Sequence, residues 1–310
     1  MQLTNRRVRL MGTVIDVSIY HEEPEPLLDQ VEALLHTYNK RFSANDDSSE
    51  LMQINKAAGL HPVTVHPELF ELISLGKWHS CQPGSHLNIA IGPLIQTWRI
   101  GFSDARLPLS KEIRPLLDII NPNAILLSEE TQSVFLKEKG MKIDLGALAK
   151  GYIADRIADF LKAENVTSAL INLGGNVLTF GPALHNPDHK WRIGIQNPKE
   201  TRNTNLMVLA IRDKSVVTSG IYERTFEIDG KTYHHIFDSQ TGYPVSSDLA
   251  SLTIISSLSV DGEIWTTRLF GSSLEHIFQE VSSQAELEAI IVDKDNHCFQ
   301  TGGIYKMRIS

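Results

Sequence analysis

Hydrophobic and polar positions along the chain change their period several times, and each change marks a predicted element. Residues 7–20 alternate with a period of two and are rich in β-branched side chains, which predicts a β-strand. Residues 23–42 carry apolar side chains at helical spacing and predict a helix. The same spacing predicts helices over residues 66–82 and 146–164.

The second half of the chain is dominated by short apolar or alternating runs bounded by Gly, Asn, Asp and Pro, which predict β-structure. These runs span residues 168–181, 190–198, 206–220, 224–238 and 248–257. A last helix is predicted over 263–283, followed by two strands within 287–295 and 297–307. Asp229-Gly230 lies between alternating segments and indicates a hairpin with a type I′ turn.

Strands and helices in irregular order, together with hairpins, favour the α+β class over a doubly wound parallel sheet. We therefore expect antiparallel-rich mixed sheets with packed helices. The sequence contains no obvious linker, low-complexity segment or short-period repeat. Residues 1–310 are accordingly predicted to form a single domain.

Composition narrows the range of partners. The chain is 42% hydrophobic and carries a net charge of -8, with a pI near 5.8. Its basic residues form no cluster beyond Arg6, Arg7 and Arg9, which argues against the polyanion-binding surface that nucleic acid requires. A small ligand, or an acidic or neutral partner, fits this charge better.

Cysteine usage and hydropathy bear on the compartment. Cys81 and Cys298 lie far apart in the sequence and show no CxxC or zinc-ligand spacing, so a disulfide framework or metal knuckle is not expected. No stretch approaches the roughly 20 apolar residues that a membrane span needs. The first residues alternate and do not form a signal-peptide core, so we expect a cytoplasmic protein without a membrane span.

Two stretches have the composition of anion-binding loops. Gly174-Gly175 follows an apolar strand, where paired glycines either let backbone N–H groups approach an anion or simply form a turn. Asp144 precedes a predicted helix whose opening turns carry Lys150, which suits a phosphate at the helix N-terminus. A capping acid followed by a surface lysine explains the second pattern equally well.

Two further stretches could carry acid–base or metal chemistry. Glu263 and Thr267 are four residues apart, so on a helix they share a face and could ligate a hard cation such as Mg²⁺. His234 and His235 must point to opposite sides of a strand, so only one can face a given cleft as a general base. Asp238 could orient that histidine or add a metal ligand. The alternatives are an exposed acid with an ordinary threonine, and a half-buried sheet histidine with a turn-forming aspartate.

The order of motifs resembles the ApbE family, the FAD:protein FMN transferases, over nearly the whole chain. The stretches that carry the resemblance are MGTVIDV from Met11, RFSANDDSSELMQIN at 41–55, NIAIGPLIQTWRIGF at 88–102, IDLGALAKGYIAD at 143–155, NLGGNV at 172–177, WRIGIQNP at 191–198, VVTSGIYER at 216–224, HIFDSQTGYPV at 235–245 and TTRLF at 266–270. The resemblance implies the ApbE-like architecture, which is a duplicated T-fold-like arrangement.

The resemblance also implies a reaction: Mg²⁺-dependent transfer of FMN from FAD to a threonine hydroxyl of an acceptor flavoprotein, with release of AMP. Matched positions imply that His235 activates the acceptor hydroxyl, and that the Ala147 carbonyl, Glu263 and Thr267 hold the metal. The positions implied to contact FAD are Met11, Asn45, Leu87, Asn88, Asp144, Lys150 and Ile236, with the turn at Gly174 and Gly175 close by. We expect the acceptor to be a cytoplasmic protein such as a reductase.

The sequence departs from the family pattern around this site. Glu263 replaces a common aspartate, and its extra methylene moves the carboxylate by roughly 1.5 Å, about one C–C bond. Asn45 stands where a flavin-site tyrosine is common, Asn88 replaces an acid, and Ile221 replaces the aspartate of a Ser-Gly-Asp-Tyr pattern. Two other functions therefore stay open: an FAD pyrophosphatase giving FMN and AMP, and a flavin-binding protein without catalysis.

Overall fold

A large antiparallel sheet lies at the centre of the fold in our computed structural model, which describes residues 2–202 and 204–309. Met1, Asn203 and Ser310, which the predicted domain includes, lie outside the described residues. The strands described are β1 (Leu3–Leu10), β2 (Thr13–Tyr20), β3 (Val63–Thr64), β4 (Ile125–Ser128), β5 (Ser133–Leu136), β6 (Ala169–Leu173), β7 (Asn176–Phe180), β8 (Trp191–Gln196), β9 (Asn205–Ile211), β10 (Ser215–Gly220), β11 (Thr225–Ile228), β12 (Lys231–His234), β13 (Leu249–Ser256), β14 (Glu288–Asp293) and β15 (Cys298–Gln300).

Eight of these strands form the central sheet in the order β1-β2-β6-β7-β10-β13-β14-β15. Each neighbouring pair in it is antiparallel. The remaining strands form a three-stranded sheet, β3-β5-β4, and the two ribbons β8-β9 and β11-β12. The predicted antiparallel-rich α+β class is therefore confirmed.

Helices and one ribbon cover opposite faces of the central sheet. The α-helices described are α1 (Pro24–Phe42), α2 (Glu50–Lys56), α3 (Pro67–Ser80), α4 (Gly92–Trp98), α5 (Ser110–Leu117), α6 (Ala149–Ala163), α7 (Ser259–Leu269) and α8 (Leu274–Ser283), with 3₁₀ turns at Pro122–Ala124 and Gly302–Lys306. Ile254 and Ile291 face the main core with α1, α6 and α7, whereas Ile255 and Ile290 face the β8-β9 ribbon. Strand β13 is buried at every position because both of its faces are covered.

Two predicted elements are each divided in the structure. Residues 7–20 form a hairpin, because Met11 and Gly12 adopt φ of 54° and 70° and turn the chain back on itself. The alternation continues through that two-residue turn, so its period gives no sign of the reversal. The predicted helix over 263–283 ends at Leu269 and resumes at Leu274, and Gly271 between them has φ of 108°.

Several short elements were not predicted at all. They are α2, α4, α5 and the three-stranded sheet, and the helices among them have only seven or eight residues. Runs of this length give too few turns for a helical period to stand out. The helices predicted over residues 23–42, 66–82 and 146–164 are confirmed with boundaries shifted by up to three residues.

Helices α6 and α7 cross in direct backbone contact. A Cβ placed on Gly151 would lie 2.6 Å from the Ser259 carbonyl oxygen and 2.7 Å from the Val260 Cα, a separation that real Cβ atoms do not adopt. Glycine at position 151 therefore allows the first turn of α6 to approach the first turn of α7. This contact fixes how the side chains at the two helix starts face one another.

Within the described ranges, the structure contains no helix with both the length and the apolar character needed to cross a membrane.

Replacing Gly151 by Ala should destabilise the fold, although alanine favours helix by up to about 1 kcal/mol relative to glycine. The added methyl must displace the backbone of α7, and overpacking of this kind costs about 1–3 kcal/mol. We expect a lower free energy of unfolding in urea for Gly151→Ala. Gly302→Ala is the matched control, because a Cβ there meets nothing within 4 Å. Equal unfolding midpoints for Gly151→Ala and the unmodified chain would show that the helices are not in close contact.

Candidate active site

Two hairpin turns lie side by side at one end of the central sheet. Met11 and Gly12 join β1 to β2, while Gly174 and Gly175, with φ of 66° and 97°, join β6 to β7. A Cβ on Gly174 would lie 2.1 Å from the Thr13 hydroxyl oxygen, so no larger residue fits. Gly175 faces open space, with nothing within 4 Å of a Cβ position. The glycine pair therefore forms a turn whose outer side is accessible to a ligand.

The start of α6 combines a half-buried carboxyl group with unpaired backbone donors. Asp144 accepts a 2.7 Å hydrogen bond from the Gly146 N–H, which forms a turn ahead of the helix. Burial raises the pKa of Asp144, and the nearby charge of Arg224 opposes that rise. The N–H groups of Lys150 and Gly151 have no acceptor among the described residues. This helix N-terminus therefore retains the donors that an anion needs.

The Lys150 side chain joins this helix to α7. Its ammonium donates a 2.8 Å hydrogen bond to Oε1 of Glu263, whose side chain is only 6% exposed. The same oxygen accepts a 3.0 Å hydrogen bond from the Asn176 amide at the start of β7. The Ser259 hydroxyl donates to Asn176 Oδ1 at 2.5 Å, so the Asn176 amide must present its NH₂ group to Glu263. The Glu263 carboxylate is therefore held through one oxygen, while Oε2 receives no donor from the described residues.

Helix α7 is capped by a residue of the neighbouring helix. Its own N-cap, Leu258, offers no side-chain hydrogen bond, and Asp155 of α6 accepts the N–H groups of Ser259 and Val260 at 2.8 and 2.9 Å. Burial raises the pKa of Asp155 to about 6, against the opposing effect of these two hydrogen bonds. The position of Glu263 on α7 thus depends on side chains from both α6 and β7.

Two oxygen atoms near this crossing are free of hydrogen bonds. The Thr267 hydroxyl, one turn beyond Glu263, has no partner among the described residues, and no described N–H donates to the Ala147 carbonyl. A carboxylate, a hydroxyl and a carbonyl are oxygen donors of the type that Mg²⁺ prefers. No group of three or more His, Cys, Asp or Glu in the described chain could hold a metal, so a cation here would depend on such a mixed set.

His235 directly follows β12, just outside the strand on which it was predicted, and lies beside Arg224. Its Nδ1 is 3.3 Å from the Arg224 carbonyl oxygen, and this contact assigns the proton to Nδ1 and leaves Nε2 as the acceptor. Burial, followed by the positive charge of Arg224, lowers the pKa of His235 to about 4. The half-buried imidazole is therefore neutral at pH 7 and able to accept a proton.

The loop that follows His235 is anchored from within by polar side chains. His234 accepts a 3.3 Å hydrogen bond from the Ile236 N–H at Nδ1, and its Nε2 donates to the Val245 carbonyl at 3.1 Å. Asp238 accepts hydrogen bonds from the Gln240 N–H and the Thr241 hydroxyl. The structure thus favours the turn-forming interpretation of Asp238 over a role as orienter of His235.

An aromatic cluster anchors the same loop from outside. The fully buried Trp98 ring lies 5.4 to 5.7 Å from the rings of Tyr233, Phe237 and Tyr243, and its indole N–H donates to the Gly242 carbonyl at 2.9 Å. Helix α4 therefore fixes the loop that carries His235.

The remaining predicted site residues occupy varied environments. Asn45 is exposed in the loop after α1, Ile236 packs partly buried on the main core, and Leu87 is buried within it. Asn88 has both ends of its amide engaged, by the Ile120 carbonyl at 2.8 Å and the Ala90 N–H at 2.9 Å. The structure therefore brings Lys150 and Glu263 into contact, and among the described residues it shows no hydrogen bond or ion pair from the side chains of Asn45, Leu87 or Asn88 to either.

Two residues of this region were not identified from sequence. Asn176 directly follows the glycine pair, and Arg224 precedes the β11-β12 hairpin. Arg224 lies against both Gly12 and Gly101, because their Cβ positions would be 3.8 and 2.9 Å from its side chain. The sequence did show a polar residue next to each motif already noted. No local pattern, however, shows which distant residue such a side chain contacts.

Known proteins match this chain over most of its length. The model of the ApbE family matches residues 11–291. A FAD:protein FMN transferase of Klebsiella pneumoniae (strain 342) is 44% identical over 286 residues, which cover 92% of this chain and 88% of that protein. A protein of the same name from Treponema pallidum (strain Nichols) is 32% identical over 315 residues and covers 97% of this chain and 87% of its own length.

Solved structures share the fold at lower identity. The ApbE protein of Thermotoga maritima superposes with a TM-score of 0.91 at 24% identity over the whole of both chains. The flavin transferase ApbE of Vibrio cholerae superposes with a TM-score of 0.85 at 19% identity over 99% of both chains. The architecture is therefore that of solved ApbE proteins.

The low pKa of His235 can be measured directly. In ¹H–¹³C NMR spectra of the ligand-free protein, we expect the His235 ring to titrate near pH 4, well below the unperturbed value of about 6.5. Arg224→Gln should move that titration upward, because it removes the repelling charge. The resonance is assigned by its loss in His235→Ala. A midpoint between pH 6 and 7 would contradict the environment described here.

Proposed function

Because the chain belongs to the ApbE family, and relatives that match most of its length are named FAD:protein FMN transferases, we propose that it transfers FMN from FAD to a threonine hydroxyl of an acceptor protein. The reaction depends on Mg²⁺ and releases AMP. The observation that carries the proposal is the Lys150–Glu263 pair beside the N-terminus of α6. It supports a diphosphate site and a cation site next to each other.

The start of α6 and the α7 side chains have separate tasks in this proposal. Lys150 and the free N–H groups of the first turn bind the diphosphate of FAD. Glu263, Thr267 and the Ala147 carbonyl would hold Mg²⁺, which when bound neutralises negative charge on the diphosphate. This assignment is supported by the donor types and by the absence of other partners for Thr267 and Ala147 among the described residues.

His235 acts as the general base. Its Nε2 takes the proton of the threonine hydroxyl as that oxygen attacks the phosphorus of the FMN half. The bond between this phosphorus and the oxygen bridging to AMP breaks, and AMP leaves with that oxygen. Arg224 keeps the imidazole neutral and ready to accept the proton.

The flavin nucleotide lies along the hairpin turns and the α6 start in this proposal. The residues assigned to contact FAD, besides Lys150, are Met11, Asn45, Leu87, Asn88, Asp144, Gly174, Gly175 and Ile236. Support is strongest for the two turns, because Gly12 lies beside the Arg224 side chain and Gly174 packs against Thr13 at the start of the neighbouring strand β2. Leu87 and Asn88 contribute through their backbone, since their side chains are buried or engaged.

The proposal treats residues 1–310 as one flavin transferase domain acting in the cytoplasm on a cytoplasmic flavoprotein. The central sheet supports a single domain, because it joins strands from both ends of the chain. Cys81 and Cys298 are free and exposed, which suits a reducing compartment.

Transfer is tested by incubating the protein with FAD, Mg²⁺ and a candidate acceptor, followed by mass spectrometry of the acceptor. His235→Ala should reduce covalent FMN on the acceptor by about 10²–10⁴-fold, the usual contribution of a general base, while FAD affinity is retained. His36→Ala, on the exposed face of α1, is the control and should transfer normally. Full transfer by His235→Ala would show that another group is the base.

The same incubation distinguishes the alternative functions. AMP release without an acceptor would indicate a pyrophosphatase, and FAD binding without AMP release would indicate a non-catalytic binder.

Glu263 should set the Mg²⁺ requirement. We expect Glu263→Gln to raise the Mg²⁺ concentration needed for half-maximal transfer by about tenfold or more, because a neutral amide is a poor ligand for a hard cation. Glu263→Asp keeps the charge and should stay close to the unmodified chain. Asp261→Asn removes an acid from the same helix outside the Lys150 contact and serves as the control. The metal assignment is wrong if Glu263→Gln and Asp261→Asn show the same Mg²⁺ dependence as the unmodified chain.

A further inference from the structure

We propose that Lys150 is an internal counter-cation that occupies the Glu263 carboxylate in the ligand-free protein, so that a divalent ion binds tightly only after a diphosphate has drawn Lys150 away. This inference rests on the proposed function of the α6–α7 crossing. It adds an order of binding, nucleotide before metal, and assigns that order to one side chain.

The first support is the geometry of the pair. Lys150 is the only described cation within 4.0 Å of the Glu263 carboxylate, at 2.8 Å, and the carboxylate is 6% exposed. The second donor to the same oxygen, Asn176, is neutral. A buried carboxylate needs a compensating charge. Lys150 supplies it.

The second support is electrostatic. A divalent ion bound to Glu263 would lie within a few ångströms of the Lys150 ammonium, and like charges at that separation in a buried site repel strongly. The metal and the ammonium therefore compete for one carboxylate. Metal binding to the ligand-free protein must include the free energy of displacing Lys150.

The third support is an alternative partner for Lys150. The ammonium sits on a flexible four-carbon side chain that starts in the first turn of α6, where the N–H groups of Lys150 and Gly151 have no acceptor among the described residues. An anionic diphosphate held by those N–H groups lies within reach of the same ammonium. Moving Lys150 from Glu263 to the diphosphate frees the carboxylate at the moment when the ligand adds further negative charge.

The two binding events are therefore coupled, and the coupling is reciprocal: the diphosphate favours the metal, and the metal favours the diphosphate. The ligand-free protein should bind divalent ions weakly. Removing the ammonium should remove that obstacle without any nucleotide present.

The experiment is isothermal titration of Mn²⁺ into the ligand-free protein and its variants. Lys150→Gln should bind Mn²⁺ about tenfold or more tightly than the unmodified chain, within the 5–150-fold range typical of coupled sites. Lys150→Arg keeps the charge and should bind as weakly as the unmodified chain. Lys162→Gln is the matched control, because it removes a lysine from the far end of the same helix, where Lys162 lies over the Phe180 ring. It should change Mn²⁺ affinity less than twofold, about the effect expected for a screened surface charge.

The Lys150 and Glu263 variants distinguish failure of the counter-cation from failure of the proposed metal site. If Lys150→Gln fails to bind Mn²⁺ more tightly while Glu263→Gln abolishes binding, the counter-cation is wrong and the metal site stands. If Glu263→Gln leaves Mn²⁺ affinity unchanged, the proposed metal site itself is wrong. Circular dichroism melts verify that each variant is folded. Should Lys150→Gln not fold, Lys150→Met replaces it with the same expected gain and the same contradicting result.

Discussion

The buried negative charge of Glu263 is the constraint on which the rest of the site depends. Its carboxylate lies on α7 with 6% of the side chain exposed, and Lys150 and Asn176 both donate to one of its oxygens. Removing one partner of a buried ion pair costs roughly 3–5 kcal/mol, so Lys150 and Asn176 both help to stabilise the Glu263 carboxylate in this position. A charge held in this way defines where cations can bind.

The crossing of α6 and α7 brings Lys150 to Glu263, and Asn176 reaches the same carboxylate from β7. Gly151 permits the close approach, and Asp155 caps the first turn of α7 from the neighbouring helix. The half of the site that carries His235 is built separately, by the β11-β12 ribbon and the aromatic cluster around Trp98. Arg224 links the two halves, since its charge acts on the pKa of both His235 and Asp144.

How much of this structure the sequence predicts depends on how far apart along the sequence the interacting residues lie. Alternation and helical spacing report local burial, which is why the long helices and the antiparallel class were predicted, whereas the reversal at Met11 within an unbroken alternation was not. Local patterns singled out Lys150 and Glu263 as candidates, and the resemblance to a family assigned them to one site. Their contact, and that of Asn176 with Glu263, joins positions 113 and 87 residues apart and follows from the topology of the sheet and the crossing helices. No local pattern specifies such a pair.

In the proposed order of binding, the Glu263 carboxylate pairs first with Lys150 and then with a metal ion. The most direct measurement is a crystal structure of the protein with FAD and Mn²⁺, in which the ion is located by anomalous scattering. We expect an ion bonded to Glu263, with the Thr267 hydroxyl and the Ala147 carbonyl as further ligands and the Lys150 ammonium moved to the diphosphate. An ion bound elsewhere, or a Lys150–Glu263 bond that persists beside the bound nucleotide and metal, would contradict it.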